Sequence, residues 1–467
     1  MAIVIMKFGG SCLQDVDSFK NILNITEIYK EHKKVYVASA FKGITDLLLD
    51  IGKKAEMGID IDKNIAFIEK KNYDIIDEIF GDNEEYANVA KIYIDKKISE
   101  LEDALIDVNE FGFEPFYQDY VLSFGEIFST YILHLYLKIN GYNVVFIPAN
   151  ELIITDDNFG NAFPLYKYTQ NRIRKKMIPL LDNPNDITIF CITGFIGRNK
   201  IGYITTLGRG GSDYTATILA HTIYDSCKFK DITVILWKNV DGLLVSDPKY
   251  INNSKPQLVK ILDYNEAKEM AFFGAKILHP KCLEAIEPYK IPLEIRNFNN
   301  PLEKSQFTII SEKTDKSNIK GISTVEEVAM ITVSSGSMVE VPGVLAKIFN
   351  IMGDNKINVS LVAQSSSEIN TTFIVDVNDG KKASNLIKEN EFFKNFFDIK
   401  IESVGILAVI GLQVLDTKIK ARIFNALSSN DINVKSISQS AQGLNISLVI
   451  NKEDIEKAVN CLHEEFQ

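Results

Sequence analysis

Through the first 300 residues, short β-branched runs alternate with apolar helical stretches. Each run ends in a turn rich in glycine, serine or lysine. Residues 2–8 (AIVIMKF) end at Gly9-Gly10-Ser11, and residues 17–30 then carry a helical pattern. Residues 34–40 (KVYVASA) close on Ser39 and continue into Phe41-Lys42-Gly43-Ile44-Thr45. Residues 186–193 open into Gly194-Phe195-Ile196-Gly197, and residues 201–207 into Gly208-Arg209-Gly210-Gly211-Ser212-Asp213. Residues 232–237 lead to Lys238-Asn239, and residues 291–298 close the region as a further strand. Repeated β-turn-α succession predicts an α/β fold, a mostly parallel sheet sandwiched by helices. Ligands of such sheets collect beyond the carboxyl ends of the strands. Lys7, Ser39 and Thr45 fall at or after such ends.

The turn at 208–213 precedes an apolar helix at 214–224 (YTATILAHTIY). Glycines admit close approach to the backbone, and unpaired N–H groups of a first helical turn attract an anion. Arg209 and Asp213 add one charge of each sign. The plainer reading is a tight turn with Ser212 as N-cap. The segment is neither a Walker A loop nor G-x-G-x-x-G. Ser123-Phe124-Gly125-Glu126 fits first a capping box before an apolar helix at 127–139, and second a carboxylate held at a helix start to grip an ammonium. His279, beside Pro280, is read as structural.

Lysine plus arginine number 51 against 62 acidic residues, a net charge of −11. That balance argues against nucleic acid or an anionic membrane as the main partner. The five cysteines are scattered without C-x-x-C spacing, which disfavours a zinc site and suits a reducing compartment. No apolar run reaches the ~18 residues of a membrane span, and residues 1–6 read as a strand rather than a signal peptide, so a cytoplasmic location is expected.

Residues 50–120 interrupt the alternation as a helical insertion. Ile94, Ile98, Leu101, Leu105 and Val108 step by four and three to form one apolar face. A helix is expected at 263–273. The polar, non-periodic stretch 311–320 marks a boundary, and 301–325 reads as a linker with a possible strand.

Beyond it the chain repeats itself at an offset of 75 residues. Ala346, Ile348, Phe349 and Asn350 fall on Ala421, Ile423, Phe424 and Asn425, while Ile357-Asn358-Val359 falls on Ile432-Asn433-Val434. Each copy, 326–400 and 401–467, reads strand, helix, strand, strand, helix, a small α+β module. The first copy opens its helix with Pro342-Gly343, the second with Thr417-Lys418. A glycine-containing helix start near Met338 and Val341 suits a small zwitterion better than the second copy does.

Lys7-Phe8-Gly9-Gly10, Ser39-Ala40, Ser123–Glu126, Gly208–Asp213, and Phe273-Gly274-Ala275-Lys276 with His279-Pro280 together resemble the signature set of aspartate kinases. The resemblance covers essentially the whole chain, in the family's order. It implies an amino-acid kinase fold over 1–300, followed by two ACT-type (βαββαβ) modules and no homoserine dehydrogenase part. It also implies MgATP-dependent phosphorylation of the β-carboxylate of L-aspartate, toward lysine, threonine and methionine. Lys7 would stabilise the moving phosphoryl group. Asp213 would orient Lys7 or help hold magnesium, the metal otherwise arriving with ATP. Arg209 would take the α-carboxylate and Glu126 the α-ammonium, with Ser39, Thr45, Gly210, Gly211 and Ser212 completing the aspartate site. Phe8, Gly9, Gly10, Lys238, Asn239, Leu244, Lys249, Lys276 and Ile277 would meet nucleotide.

An end-product effector, lysine rather than threonine, would meet Met338, Val341, Gly343, Val344, Leu345 and Asn358 between the protomers of a homodimer or higher oligomer. Three positions depart from the family's pattern. Lys238-Asn239 stands where Thr-Asp is frequent, Leu244 where a tyrosine is, and Lys249 where an arginine is. Two alternatives remain: a kinase of another acidic amino acid, or an amino-acid sensor without catalysis, which Asn239 and Leu244 would motivate.

Overall fold

The computed structural model describes all residues except 1, 82, 252–255, 274–277, 304–305, 314–318, 336–342, 365–369, 395, 413, 415, 440–443 and 467. It divides into two compact units. The first comprises residues 1–243, 260–264 and 277–314, and the second 244–259, 265–276 and 315–467.

In the first unit the strands are β1 (Ile3–Phe8), β2 (Lys33–Ala38), β3 (Val144–Ile147), β4 (Ile154–Thr155), β5 (Ile189–Thr193), β6 (Ile196–Asn199), β7 (Ile204–Thr206), β8 (Ile232–Lys238), β9 (Ile261–Leu262), β10 (Leu293–Asn297) and β11 (Phe307–Ile310). Eight of them form a sheet in the order β3-β5-β2-β1-β8-β10-β11-β9, while β4, β6 and β7 make a small separate one. From β3 to β10 every pairing is parallel. β11 turns against β10. The register places Phe8 beside both Ala38 and Trp237, and Ala38 beside Thr193, so four strands finish level with one another. β1, β2 and β5 are buried along their whole length, as expected of strands covered on both faces.

Helices α1 (Val16–Ile28), α2 (Ile44–Glu56), α3 (Asp62–Phe80), α4 (Glu84–Phe111), α5 (Pro115–Ile139), α6 (Tyr166–Lys176), α7 (Ile178–Leu181), α8 (Gly211–Ser226) and α10 (Pro280–Ile286) belong to this unit, and α9 (Tyr264–Phe272) falls almost wholly in the other. The apolar stripe of α4 is buried at Ile94, Ile98, Leu101, Leu105 and Val108. Its core is continuous with Phe8, Tyr36 and Trp237 of the sheet, so the helical insertion is part of the unit's main core.

Two local expectations change. The capping-box reading of Ser123–Glu126 fails, because α5 begins eight residues earlier at Pro115. The apolar pattern continues upstream through Tyr120 and Val121, and proline at the first helical position supplies the start signal. Ser123 instead donates to the Tyr120 carbonyl at 2.6 Å. Secondly, the strand expected over 201–207 is shortened to β7. Asn199 Oδ1 accepts from Gly202 and Tyr203 N–H, both at 2.9 Å, and holds residues 199–203 as a hairpin turn.

The second unit contains β12 (Gly321–Ser334), α11 (Val344–Asp354), β13 (Leu361–Gln364), β14 (Asn370–Asp376) and α12 (Gly380–Glu389). The same order follows as β15 (Asp398–Ile410), α13 (Thr417–Ser428), β16 (Val434–Gln439), β17 (Asn445–Ile450) and α14 (Ile455–Phe466). The two copies share one six-stranded sheet, β13-β14-β12-β15-β17-β16, because the long strands β12 and β15 pair antiparallel at its centre. Each copy keeps its own core. The identities repeated at the 75-residue offset include core positions, with Ile348 and Ile423 fully buried and Ile357 and Ile432 nearly so.

Candidate active site

Lys7 is the second-last residue of β1, and its side chain is buried despite its charge. Of the two glycines that follow, Gly10 has a steric reason. A Cβ on Gly10 would stand 2.6 Å from the Ala40 carbonyl, while one on Gly9 would stand 3.6 Å from Lys7 Nζ. The turns after β1 and β2 are thus pressed together, tied also by the Ser39 N–H, which donates to the Phe8 carbonyl at 3.1 Å.

The turn after β7 arrives beside them. Gly208 and Gly210 have φ of +79° and +70°, and Gly210 is the N-cap of α8. Glycine has no side chain with which to cap the helix; the Gly211 N–H turns back to the Gly208 carbonyl at 2.9 Å, and the N–H groups of Ser212 and Asp213 have no side-chain cap. This disposes of Ser212 as N-cap. Ser212 lies buried inside the first turn, against the position a Cβ on Gly194 would take. Glycine is again the N-cap at the head of α2, Gly43 with φ +82°, and Thr45 is half-buried in the turn that follows. Two glycine-capped helix starts therefore flank the level strand ends, each a place where backbone donors and the helix dipole favour an anion.

Asp213 links the elements. Lys238, at the end of β8, donates to its Oδ2 at 2.7 Å, and Lys7 Nζ faces its Oδ1 at 2.8 Å. The Lys7 contact is an ion pair outside hydrogen-bond geometry, which leaves Oδ1 without a hydrogen bond among the described residues. Burial pushes the Asp213 carboxyl up, but the two ammonium groups outweigh it and bring the group down to about 2. For Lys7, burial works against the charge and Asp213 more than restores it, so the ammonium is held above its ordinary range. The result is a buried ammonium whose ion pair among the described residues is with Asp213.

Glu126 lies in the interior of α5 at 3% exposure. Burial pushes its carboxyl up to about 8, against weaker opposition from the Ala40 N–H and from the charge of Lys7. Its Oε2 has no hydrogen-bond partner among the described residues. A buried carboxylate oxygen without a donor is costly unless a ligand supplies one. Arg209, by contrast, is exposed on the α8 turn and forms no ion pair among the described residues. His279 caps α10, accepting from the Lys281 N–H at 3.3 Å, consistent with a structural role. It also packs against Gly210, where an added Cβ would meet its own at 2.8 Å.

Two contributors escape a residue-by-residue reading. The expected nucleotide contact Lys238 is also an Asp213 partner. Asp119, fully buried on α5, accepts from the Gly160 N–H at 2.9 Å, the Thr206 N–H at 2.7 Å and the Thr206 hydroxyl at 2.7 Å. It thereby clamps β7 and the 160-loop that touches Gly208. The signal was available: Asp119, Ser123 and Glu126 recur at helical spacing on an otherwise apolar helix.

The remaining expected nucleotide contacts are dispersed. Asn239 is exposed after β8. Leu244 and Lys249 belong to the second unit, where Lys249 is engaged by Glu326 and lies over the Tyr250 ring. Lys276 and Ile277 lie outside the described residues.

Comparison with known proteins agrees with this arrangement. Residues 2–297 match the model of the amino acid kinase family, and residues 331–390 and 407–466 each match an ACT domain. Aspartokinase 1 of Arabidopsis thaliana chloroplasts is 32% identical over 99% of the chain, which covers 80% of that protein. The chain belongs to the aspartokinases of the amino acid kinase family. The bifunctional aspartokinase/homoserine dehydrogenase of Buchnera aphidicola is also 32% identical, and the chain spans 56% of its length. Among solved structures, E. coli aspartokinase III in complex with aspartate and ADP superposes with a TM-score of 0.82 at 25% identity, covering 99% of both chains. The same enzyme with lysine and aspartate gives 0.74 at 26% identity, again over 99% of both.

The second unit carries the expected effector residues. Met338 and Val341 lie outside the described residues, while Gly343, with φ +90°, is the N-cap of α11, followed by Val344 and Leu345. Asn358 is exposed in the segment before β13. In the second copy Asp416 accepts from the Lys418 N–H at 2.9 Å and closes the start of α13 with its own carboxylate. The start of α11, at Gly343, has no such side-chain cap. Among the described residues, no group of three His, Cys, Asp or Glu side chains could hold a metal ion, and no helix is long and apolar enough to cross a membrane.

Proposed function

We propose that this aspartokinase uses MgATP to phosphorylate the β-carboxylate of L-aspartate. The observation that carries the reading is the buried Lys7 ammonium held charged by Asp213 at the level ends of β1, β2 and β8. Phosphoryl transfer asks for positioning and positive charge around the moving group. Lys7 and Lys238 supply that charge. Asp213, with one oxygen toward each lysine, orients both and has little left for a metal, so magnesium enters on the nucleotide as part of the substrate.

Aspartate is gripped at its two charged ends, the α-carboxylate by the planar fork of Arg209 and the α-ammonium by the unpaired Oε2 of Glu126. Its β-carboxylate, already anionic, attacks the γ-phosphorus. The bond to the β–γ bridging oxygen breaks and ADP leaves, with no proton to be removed. Ser39, Thr45, Ser212 and the glycine turn of Gly210 and Gly211 complete the aspartate site. Phe8, Gly9, Gly10 and Asn239 border the nucleotide. Leu244, Lys249, Lys276 and Ile277 retain their assignment to the nucleotide; Lys249 would exchange Glu326 for a phosphate.

Purified protein, MgATP and a panel of acidic amino acids, with hydroxylamine to trap acyl phosphate, tests the reading. Hydroxamate from aspartate alone is expected. Product from another acid instead would move the substrate, and no product from any would leave an amino-acid sensor.

Regulation follows the same logic. An end-product amino acid, lysine in preference to threonine, binds the first ACT module at Gly343, Val344, Leu345 and Asn358, with Met338 and Val341 as further contacts. The open helix start in that copy alone supports this, as does the lysine in the E. coli relative. The modules pair between protomers of a homodimer or higher oligomer. Five free cysteines suit a cytoplasmic location. Calorimetric titration with lysine and threonine checks the effector, and silence from both would leave the modules as assembly elements.

A further inference from the structure

The first unit has a second place suited to an anion, away from every residue assigned to catalysis. A cavity of about 470 Å³ lies where α6 meets the small sheet, and its wall carries Arg172, Lys175, Lys176, Arg198 and Lys200 together with Tyr168. In a chain of net charge −11, five cations around one hollow need an explanation. Only one of the five is neutralised, since Lys176 pairs with Glu151. Arg172, Lys175, Arg198 and Lys200 form no ion pair among the described residues. Arg198 is also held below its ordinary range, by burial first and then by the charge of Arg172, the reverse of what a satisfied guanidinium shows. Lys200 rests over the Tyr168 ring at 4.7 Å.

The layout indicates the ligand's length. Arg172 and Lys176 stand one turn apart on α6, roughly 6 Å. Arg198 lies in β6 and Lys200 follows it in the 199–203 turn, and both line the same hollow. Two short rows of cations face a common space, longer than one phosphate and matched by two or three linked phosphates. Guanidinium groups are the side chains that hold such oxygens in pairs.

We propose that this cavity binds a polyphosphate group, either inorganic or as the tail of a nucleotide. The inference does not depend on the proposed reaction. Its site shares no residue with the kinase cleft, and its readout is binding. The probe is inorganic tripolyphosphate, titrated calorimetrically into the full chain with MgADP and aspartate already saturating.

Binding should persist under saturation, weaken with added salt, and fall by roughly tenfold for each guanidinium removed in Arg172→Ala and Arg198→Ala. Unchanged kinase turnover in both variants shows that they fold. Lys175→Glu with Lys200→Glu, placed on exposed positions, should abolish binding without disturbing the core. Adenosine triphosphate binding a second equivalent more tightly than tripolyphosphate identifies a nucleotide tail as the source, whereas equal affinity identifies the inorganic chain. The proposal is overturned if tripolyphosphate fails to bind, is displaced by MgADP, or binds the variants as well as the parent. It is overturned equally if a single-stranded oligonucleotide binds this face more tightly than either.

Discussion

Replacing Asp213 by asparagine keeps the shape of the side chain and removes the charge between two lysines. At 2.8 Å and an effective dielectric of about 20, each ammonium–carboxylate attraction amounts to about 6 kcal/mol before desolvation is subtracted. Both Lys7 and Asp213 are below 10% side-chain exposure, so solvent screens their pair little, while Lys238 at 19% is screened more. Removing one partner of a buried pair costs about 3–5 kcal/mol net, a large part of the stability of a domain, and should lower the melting temperature by about 10 °C. The functional loss has a separate cause. Burial lowers the Lys7 pKa and Asp213 is the main group that opposes it, so in Asp213→Asn the ammonium loses its proton more readily than in the parent. Turnover should fall by about 10²-fold or more. It should also recover partly as the pH is lowered and Lys7 regains its charge.

A metal-ligand role for Asp213 predicts the opposite pattern, rescue by excess magnesium and none by acid. Lys7→Met combined with Asp213→Asn supplies the control for stability. With no buried charge left unpaired, most of the lost stability should return while activity stays absent. Steady-state kinetics across pH and magnesium concentration, with thermal melts of the single and double variants, measure all of this. Turnover of Asp213→Asn within a few-fold of the parent, a loss of stability below about 1 kcal/mol, or magnesium rescue would each refute the reasoning.

Glu126→Gln should raise the aspartate KM, because the neutral amide cannot pair with an ammonium. Its effect on stability has a definite sign: a carboxyl raised from 4.5 to about 8 contributes stability that is full below about 4.5 and lost as pH rises through about 8. The variant, fixed in the neutral form, should therefore melt above the parent at pH 9 and close to it at pH 5; the reverse order would show that Glu126 is paired in the free protein. Arg209→Lys should raise the aspartate KM by about tenfold with little change in melting temperature, since the side chain is exposed and only its planar fork is lost. An unchanged KM would move Arg209 from the substrate to the turn.

The centre of the parallel sheet was legible because β1, β2, β5, β8 and β10 announce themselves by an apolar, β-branched run and by the turn that stops it, whereas β3, β9 and β11 are too short to stand out. Lys7, Ser39 and the 208–213 turn were legible for the same reason: they sit where those runs stop. The capping-box reading of Ser123–Glu126 went astray because the motif is purely local, and a helix interior and a helix start differ only in what precedes them. Residues 115–122 are aromatic and polar enough to read as a loop by composition. Their stripe, together with a proline at the first helical position, makes them two further turns of α5. Joining the two repeats into one sheet was not legible either, since the pairing of β12 with β15 depends on backbone register that side-chain patterns on either strand leave open.

The family resemblance already joined Asp213 to Lys7; what stayed hidden was Lys238 as its second partner, and the cause is distance along the chain. Lys7, Asp213 and Lys238 lie on β1, α8 and β8, and none of the three has a local pattern that names the other two. Composition does limit the arrangement. A lysine on a strand that is buried throughout must find acceptors: Lys33 of β2 finds the carbonyls of Asn183 and Asp186, whereas Lys7 finds a carboxylate on an element that starts at its own end of the sheet. Among the acidic residues at such starts, Asp213 follows a glycine turn and opens an apolar helix, where its charge also favours the helix N-terminus. Buried cation, capless helix and acid in the first turn thus form one requirement rather than three. The same requirement explains why Glu126, buried nearby without a cation paired to it among the described residues, is the group left waiting for the ligand.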